Sequence, residues 1–518
     1  MEENSLLLST RMNSSEEVSL NHDHYENYNG IASNNHHDEG NFSSSEANIN
    51  GDEKFISVDD AIEWMGVGKF QIILLFVCGI AWMADACEIM LLSFIMPAVR
   101  DIWNLGSAEE ATIGGIVFAG MLIGSSFWGF ICDRFGRKIG IVAIFTICSI
   151  FGLGSAFCPN FWSLVVVRFF VGFGVGGSHA PFSLFTEFLP NKSRGFFLLL
   201  IEVFWTVGTV LTSVMALVFL GFPEIFGDYG WRYLVGVSCL PNVIMLFFVP
   251  FLPESPRVLV LKGNVEKAER VFKRLAWWNN RPMFEGKLKV DENATKKKGG
   301  SILLFFTKPL WFSSLLILIL WFIGALAYYG VVVITPNYFG NNTSKLSVYI
   351  NTIIVSGAEL PGLLFAYSVI NTFGRKKTIS LLFLSTGLFL GCLAIPTETW
   401  LLTIYAVGAR ASIMGATCAL WVYTPEAFPT NIRSLGTGMA SASSRIAAIA
   451  TPYIATMLSK INPVIPVAIY GGSCLIAFVM GHILPYETNG KSLANDVSEL
   501  VNYSTKRRKK TEKSITDN

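Results

Sequence analysis

Charge is what this sequence has least of: 15% of its 518 residues are Asp, Glu, Lys or Arg, where a soluble globular chain carries about 25%. The deficit is not uniform. Apolar runs of about twenty residues recur along most of the length, which excludes an ordinary soluble domain and predicts membrane-crossing helices. A disulfide framework is also missing, because the nine cysteines lie mostly inside apolar runs and only Cys158 falls close to a loop. Metal-ligand spacing is absent: four of the six histidines sit in an Asn- and Asp-rich tail, and the others are His179 and His482. No glycine-rich phosphate loop and no nucleophile–base pattern occurs, so ATP-driven transport and hydrolase chemistry lose their support. No enzyme activity, metal or cofactor is therefore expected, nor a nucleic-acid partner. The N-terminus lacks a basic–apolar signal pattern, so the first membrane segment is expected to direct insertion.

What is present is a series of twelve apolar segments, at 70–98, 111–130, 139–157, 162–184, 196–220, 232–251, 308–335, 348–370, 378–395, 400–422, 436–458 and 463–484. The fold class is an all-α polytopic membrane protein with twelve transmembrane helices. Residues 1–60 are too polar to build a core and are expected to be a disordered tail, although Ser57 to Glu63 reads as a short helix with Asp59 and Asp60 near its start. A central polar loop spans 252–303, between six-helix units at 61–251 and 304–485, and a basic tail spans 486–518. Lys and Arg crowd the central loop and the loops after segments 2, 4, 8 and 10. That asymmetry places both termini in the cytosol. The run Lys506 to Lys510 is expected to touch anionic lipid.

The chain repeats itself. Glu187-Phe-Leu-Pro190-Asn-Lys-Ser-Arg194 returns 239 residues later as Glu426-Ala-Phe-Pro429-Thr-Asn-Ile-Arg433, and Gly136-Arg137-Lys138 returns 238 residues later as Gly374-Arg375-Lys376. A near-constant offset implies two pseudo-symmetric six-helix bundles in the same orientation. Asn371 stands in the second copy where the first has Asp133, and Tyr367 where it has Gly129, so the second cytosolic latch is expected to be weaker.

The stretch from Gly129 through Asp133-Arg134-Phe-Gly136-Arg137-Lys138 resembles the loop between helices 2 and 3 of the major facilitator superfamily. Pro253-Glu254-Ser-Pro-Arg257 resembles the motif that closes helix 6 in its sugar-porter-like members. Arg168 with Gly172, Gly174, Gly176 and Gly177 resembles the helix-4 motif, in which small residues permit close packing. Gly79 to Glu88, Leu200 to Trp205, Tyr328-Tyr329-Gly330, Tyr423 to Pro429 and Thr451 to Ala455 are similar to one branch, the synaptic vesicle 2-related proteins. The resemblance covers about residues 60–488. It implies the major facilitator fold, alternating access, a monomeric transport unit and a small organic, charged solute moved in an intracellular vesicle or plasma membrane, with protons as a coupling ion. A protein that binds or senses a ligand on this fold without moving it is the alternative.

Candidate solute and proton residues follow. Asp85 and Glu88, three apart, share one face of helix 1 near mid-membrane. Acids placed there need water, a proton or a partner, so they either exchange a proton, attract a cation, or form a structural pair with helix 5 or 7. Glu202 lies on helix 5, two turns from its cytosolic end. Glu359 and Arg445 both fall near the midplane, and the resemblance puts their helices face to face, implying a Glu359–Arg445 interaction. Trp205, Tyr328 and Tyr329 are expected to form an aromatic wall. Gating roles are expected for Gly129, Asp133, Arg134, Gly136, Arg137, Arg168, Glu187, Arg194, Glu254, Arg257, Arg375, Arg410, Glu426 and Arg433. Asn341 and Asn342 begin overlapping glycosylation sequons on the expected lumenal side.

Overall fold

The computed structural model describes residues 55–289, 310–340, 345–395, 397–429 and 432–489, together with Phe305 and Thr307. The tail up to residue 54, the sequons at Asn341 and Asn342 and the C-terminal basic run lie outside the described residues.

Part of the segment expected to be tail is ordered. Phe55–Ile56 (β1) pairs in parallel with Lys287–Leu288 (β2), and Val58–Met65 (α1) follows. Ser57 caps α1 by accepting from the Asp60 amide at 3.1 Å, which satisfies one of the orphan donors at a helix start. Asp59 pairs with Arg257, and the Glu63 carboxylate accepts from the Asn191 amide at 2.6 Å. These contacts order residues 55–60, which composition alone had assigned to the tail.

The membrane segments then run in order. They are Lys69–Trp103 (α2), Ser107–Phe135 (α3), Arg137–Ser155 (α4), a fourth made of Phe161–Val175 (α5) and His179–Thr186 (α6), and Asn191–Leu220 (α7). The sixth combines Pro223–Phe226 (α8), Gly230–Ser238 (α9) and Leu240–Phe248 (α10), continuing to Phe251. The central loop folds in part into Pro256–Leu261 (α11) and Val265–Asn279 (α12). The second half comprises Trp311–Gly340 (α13), Lys345–Gly357 (α14) with Glu359–Phe373 (α15), Arg375–Leu393 (α16), Thr399–Ala427 (α17), Arg433–Ile461 (α18) and Val464–Ile483 (α19).

Among the described residues, eleven helices are long and apolar enough to cross a membrane. The twelfth expected segment is α18, whose 29 residues suffice in length. It is less apolar because it carries Ser441, Ser443, Ser444, Arg445 and Thr451 toward other helices rather than toward lipid.

Small residues set the tightest packing. In α3, Gly120 and Gly124 face the backbone of Phe169 and Phe173, while Gly172 and Gly176 of the fourth segment face the backbone of Val117 and Met121, with no room for a Cβ at any of the four. Backbones that approach this closely substitute van der Waals contact for the hydrophobic drive that lipid does not supply. The α3–α4 hairpin turns on one residue, Gly136 at φ +117°, and the α15–α16 hairpin turns on Gly374 at φ +86°. Only glycine adopts such angles without strain.

The halves meet through α3 with α18, α7 with α14 and α15, and α2 with α13. The α3–α18 bonds, Thr112 to Tyr453 at 3.3 Å and Thr456 to the Ser107 carbonyl at 3.3 Å, join the start of α3 to the end of α18. Ser213 and Ser356, 3.2 Å apart, join α7 to α14 deeper in the span, one turn from Glu359. The α3–α18 bonds lie away from α11 and α12, so the halves are tied at the membrane face opposite α12.

Candidate functional site

Where α2, α6 and α7 meet α13, α17 and α18 they line a cavity of about 100 Å³, a volume large enough for several waters. Its walls carry Trp82, Trp205, Trp321 and Trp421, together with Tyr328 and Tyr329. Its ionisable side chains are Asp85, Glu202, Arg445 and His179. Both halves contribute.

Asp85 is 3% exposed. Its Oδ2 accepts from the Ser178 hydroxyl at 2.8 Å, while Oδ1 has no partner among the described residues. Arg445, from the other half, donates to the Tyr329 hydroxyl at 3.1 Å and to the Met121 sulfur at 3.8 Å. It lines the same cavity as Asp85, and no hydrogen bond or ion pair joins the two among the described residues. One acid of the helix-1 pair is thus placed to change partners.

The other acid is not. Glu88, one turn along α2, is 2.9 Å from Arg168 with both side chains buried. Of the readings left open for Asp85 and Glu88, a structural pair holds for Glu88 alone, and its partner is Arg168 of helix 4, which corrects the expected partner on helix 5 or 7; Asp85 faces the cavity instead. Arg168, expected as a gating residue, serves as that buried counter-ion.

A second expectation is also corrected. Glu359 pairs with Arg410 at 2.6 Å, not with Arg445. Helices α14 and α15 run as one span through Ala358, and Gly362 brings α15 against the backbone of Ala411 in α17. That contact turns Glu359 toward Arg410, while α18 carries Arg445 toward α3 and α13. Around Glu359 a chain of bonds crosses the halves. Trp205 donates to the Tyr328 hydroxyl at 2.6 Å, Tyr328 donates to Glu359 at 2.7 Å, and Thr209 donates to its other oxygen at 3.0 Å. The Arg410 guanidinium also lies over the Tyr328 ring, 4.6 Å from its centroid, where the ring quadrupole attracts a cation. Glu202 accepts from the Trp82 indole at 3.2 Å and lines the cavity. His179 stands between Trp82 at 5.4 Å and Trp421 of the other half at 5.6 Å.

Toward the α12 face, the latch residues bond within their own halves. Asp133 reaches Arg137 at 3.3 Å, and Arg137 reaches Glu187 at 3.5 Å. Glu254 accepts from the Arg137 and Lys138 amides at 2.7 and 3.2 Å. A carboxylate there satisfies donors at the start of α4 and complements its dipole. The second half repeats the plan: Arg375 reaches Asn371 at 3.3 Å and Glu426 at 3.2 Å, and Glu487 accepts from the Arg375 and Lys376 amides at 2.8 and 3.1 Å. Arg194 and Arg433 donate to Leu189 and Phe428 carbonyls, each five residues back. Arg257 goes to Asp59 rather than to the latch. Arg134 lies beside the rings of Phe130 and Phe135, and Gly129 faces open space.

Sequence reasoning missed Glu487, although Leu484-Pro-Tyr-Glu487 echoes Leu252-Pro-Glu254 with one residue inserted. It also missed Thr209, Trp82, Trp321 and Trp421, and it set His179 aside; these carry no local signal, since aromatics and threonines are common in membrane helices.

A family model described as sugar (and other) transporter matches residues 104–497. The chain is 37% identical over 463 residues to the synaptic vesicle 2-related protein of Pongo abelii, covering 85% of this chain and 83% of that one. It is 32% identical over 489 residues to organic cation/carnitine transporter 7 of Arabidopsis thaliana, covering 85% and 96%. Among solved structures, the inward-open xylose transporter XylE of E. coli superposes with a TM-score of 0.64 at 19% identity, covering 82% of this chain and 98% of that one.

Proposed function

Because the chain belongs to the sugar (and other) transporter family of the major facilitator fold, and is a multi-pass membrane transporter, we propose that it moves a small organic cation by alternating access, coupled to protons at Asp85. The observation that carries this reading is the buried Oδ1 of Asp85, without a partner among the described residues, in a cavity shared by both halves. A buried carboxylate is costly unless a proton, a cation or water meets it. The cavity holds two acids, Asp85 and Glu202, against one arginine, and six large aromatics surround them. That combination favours a cationic solute through ring faces as well as charge. The name of the Arabidopsis relative, an organic cation/carnitine transporter, agrees with this class.

In the cycle we propose, the halves rock about the Trp205–Tyr328–Glu359–Thr209 chain, opening alternately to either face. The α3–α18 ties at the face opposite α12 support a conformation closed there. Base distribution supports the α12 face as cytosolic, and the synaptic vesicle 2-related likeness supports a vesicle membrane. The transport unit in this reading is a monomer.

The test is uptake by the purified chain in proteoliposomes, screening small organic cations and anions with and without a pH gradient. Gradient-stimulated cation uptake is expected. Ligand binding without counterflow would instead establish the non-transporting, sensing alternative.

A further inference from the structure

Beside the transport path, α12 forms a second feature that solute movement does not use. Between α2, the end of the sixth segment and α12 lies a groove of about 240 Å³. Phe70, Leu74, Val77, Leu252 and Trp278 line it, and Arg274 is its one charged residue among the described residues. It opens outward past Ile73, 44% exposed, and Phe251, 64% exposed. Phe70 is the second residue of α2, so the groove begins at the membrane surface. From Phe70 to Val77 it descends about 10 Å at ~1.5 Å per residue, roughly two-thirds of one leaflet of a ~30 Å hydrocarbon core.

The rim is basic. α12 carries Lys267, Arg270, Lys273 and Arg274 against Glu266 and Glu269. Arg270, Arg274 and Trp278 recur at four-residue spacing along one face of that helix. Arg274 is exposed and has no acid or carbonyl partner among the described residues. Next to it Trp277, 73% exposed, is of the residue type that settles at headgroup level. Apolar walls without a hydrogen-bonding set do not hold water or a sugar. A free guanidinium at the mouth of an apolar slot does match an anionic head on a hydrocarbon chain.

We propose that this groove binds one anionic phospholipid, its phosphate at Arg274 and an acyl chain along Leu74 and Val77, so that α12 is anchored to the membrane surface. Because α12 is tied to α2 through Asn279, which accepts from the Phe70 amide at 3.0 Å and donates to Gln71 at 2.9 Å, the lipid would hold the first half at a fixed depth while the second half rocks.

The experiment uses the full chain equilibrated with vesicles of phosphatidylcholine and phosphatidylserine, then native mass spectrometry of the lipids it retains. Wild type is expected to retain phosphatidylserine over phosphatidylcholine. Arg274→Gln should lower that preference about 5-fold, the factor corresponding to ~1 kcal/mol per basic residue near an anionic surface, and Arg274→Lys should keep most of it. Ile73→Trp, which fills the mouth, should lower retention of both lipids. Lys262→Gln, a base outside the groove, should change neither. Equal retention of the two lipids by wild type would overturn the proposal, as would Arg274→Gln behaving like Lys262→Gln. A photoreactive acyl chain that labels other segments but spares Leu74, Val77 and Trp278 would do the same.

Discussion

Replacing Glu88 with leucine separates a structural acid from a working one. Glu88 and Arg168 are 2.9 Å apart with side chains 2% and 1% exposed. Leucine roughly keeps the volume but leaves a guanidinium in a buried interior, and Arg168 already has Nε and Nη2 without partners among the described residues. Removing one member of a buried pair costs about 3–5 kcal/mol. At ~2–4 °C per kcal/mol for a folding unit of roughly 150–250 residues, the thermal midpoint should fall by about 6–20 °C. Since replacing both members by apolar residues is often neutral or stabilising, Glu88→Leu/Arg168→Met should recover most of that loss. The assay is unfolding of the purified chain followed by tryptophan fluorescence, beside uptake measured across a pH series. A Glu88→Leu protein that melts with wild type, but whose uptake has a displaced pH profile, would refute the structural assignment and return Glu88 to the coupling machinery.

Asp85→Asn keeps the shape and an acceptor for Ser178, so it should leave the melting temperature near wild type; gradient-driven uptake in proteoliposomes should be lost while counterflow persists, and an unchanged pH profile would remove Asp85 from coupling. Tyr328→Phe breaks the link from Trp205 to Glu359 and strands a buried donor, which should cost about 1–3 kcal/mol in a denaturation series. Glu254→Gln and Glu487→Gln should accelerate amide exchange at the starts of α4 and α16 to a similar degree, because each carboxylate caps two amides; an effect at one site alone would count against the repeat. Asp133→Asn should cost under about 0.5 kcal/mol in this conformation, since an exposed i,i+4 pair contributes little, yet should raise cysteine accessibility at the α12 face more than Asn371→Ala does. Cysteines placed at 262 and 400 should react from opposite sides of a sealed vesicle, position 262 from the cytosolic side.

The sequence by itself determined the membrane class, the segment order and the duplication. Hydrocarbon demands about twenty apolar residues per crossing, and a repeated Pro–Arg and Gly–Arg–Lys spacing survives as a constant offset whatever the side chains touch. The turn glycines at 136 and 374 were legible for the same reason, because a positive φ is a local requirement. Asp85 and Glu88 were legible as candidates, since an acid deep in an apolar run is conspicuous. Which of the two is free was not. Their separation of three residues puts both on one face of α2, but only the approach of Arg168 to Glu88 and of Ser178 to Asp85 tells them apart. Likewise, rise per residue put Glu359 and Arg445 at similar depth, and depth says nothing about azimuth. The close Gly362–Ala411 contact between α15 and α17 is what sets Glu359 against Arg410. Partner choice among buried charges is a property of helix rotation and packing, and that is decided between segments far apart in the chain, where no local pattern records it.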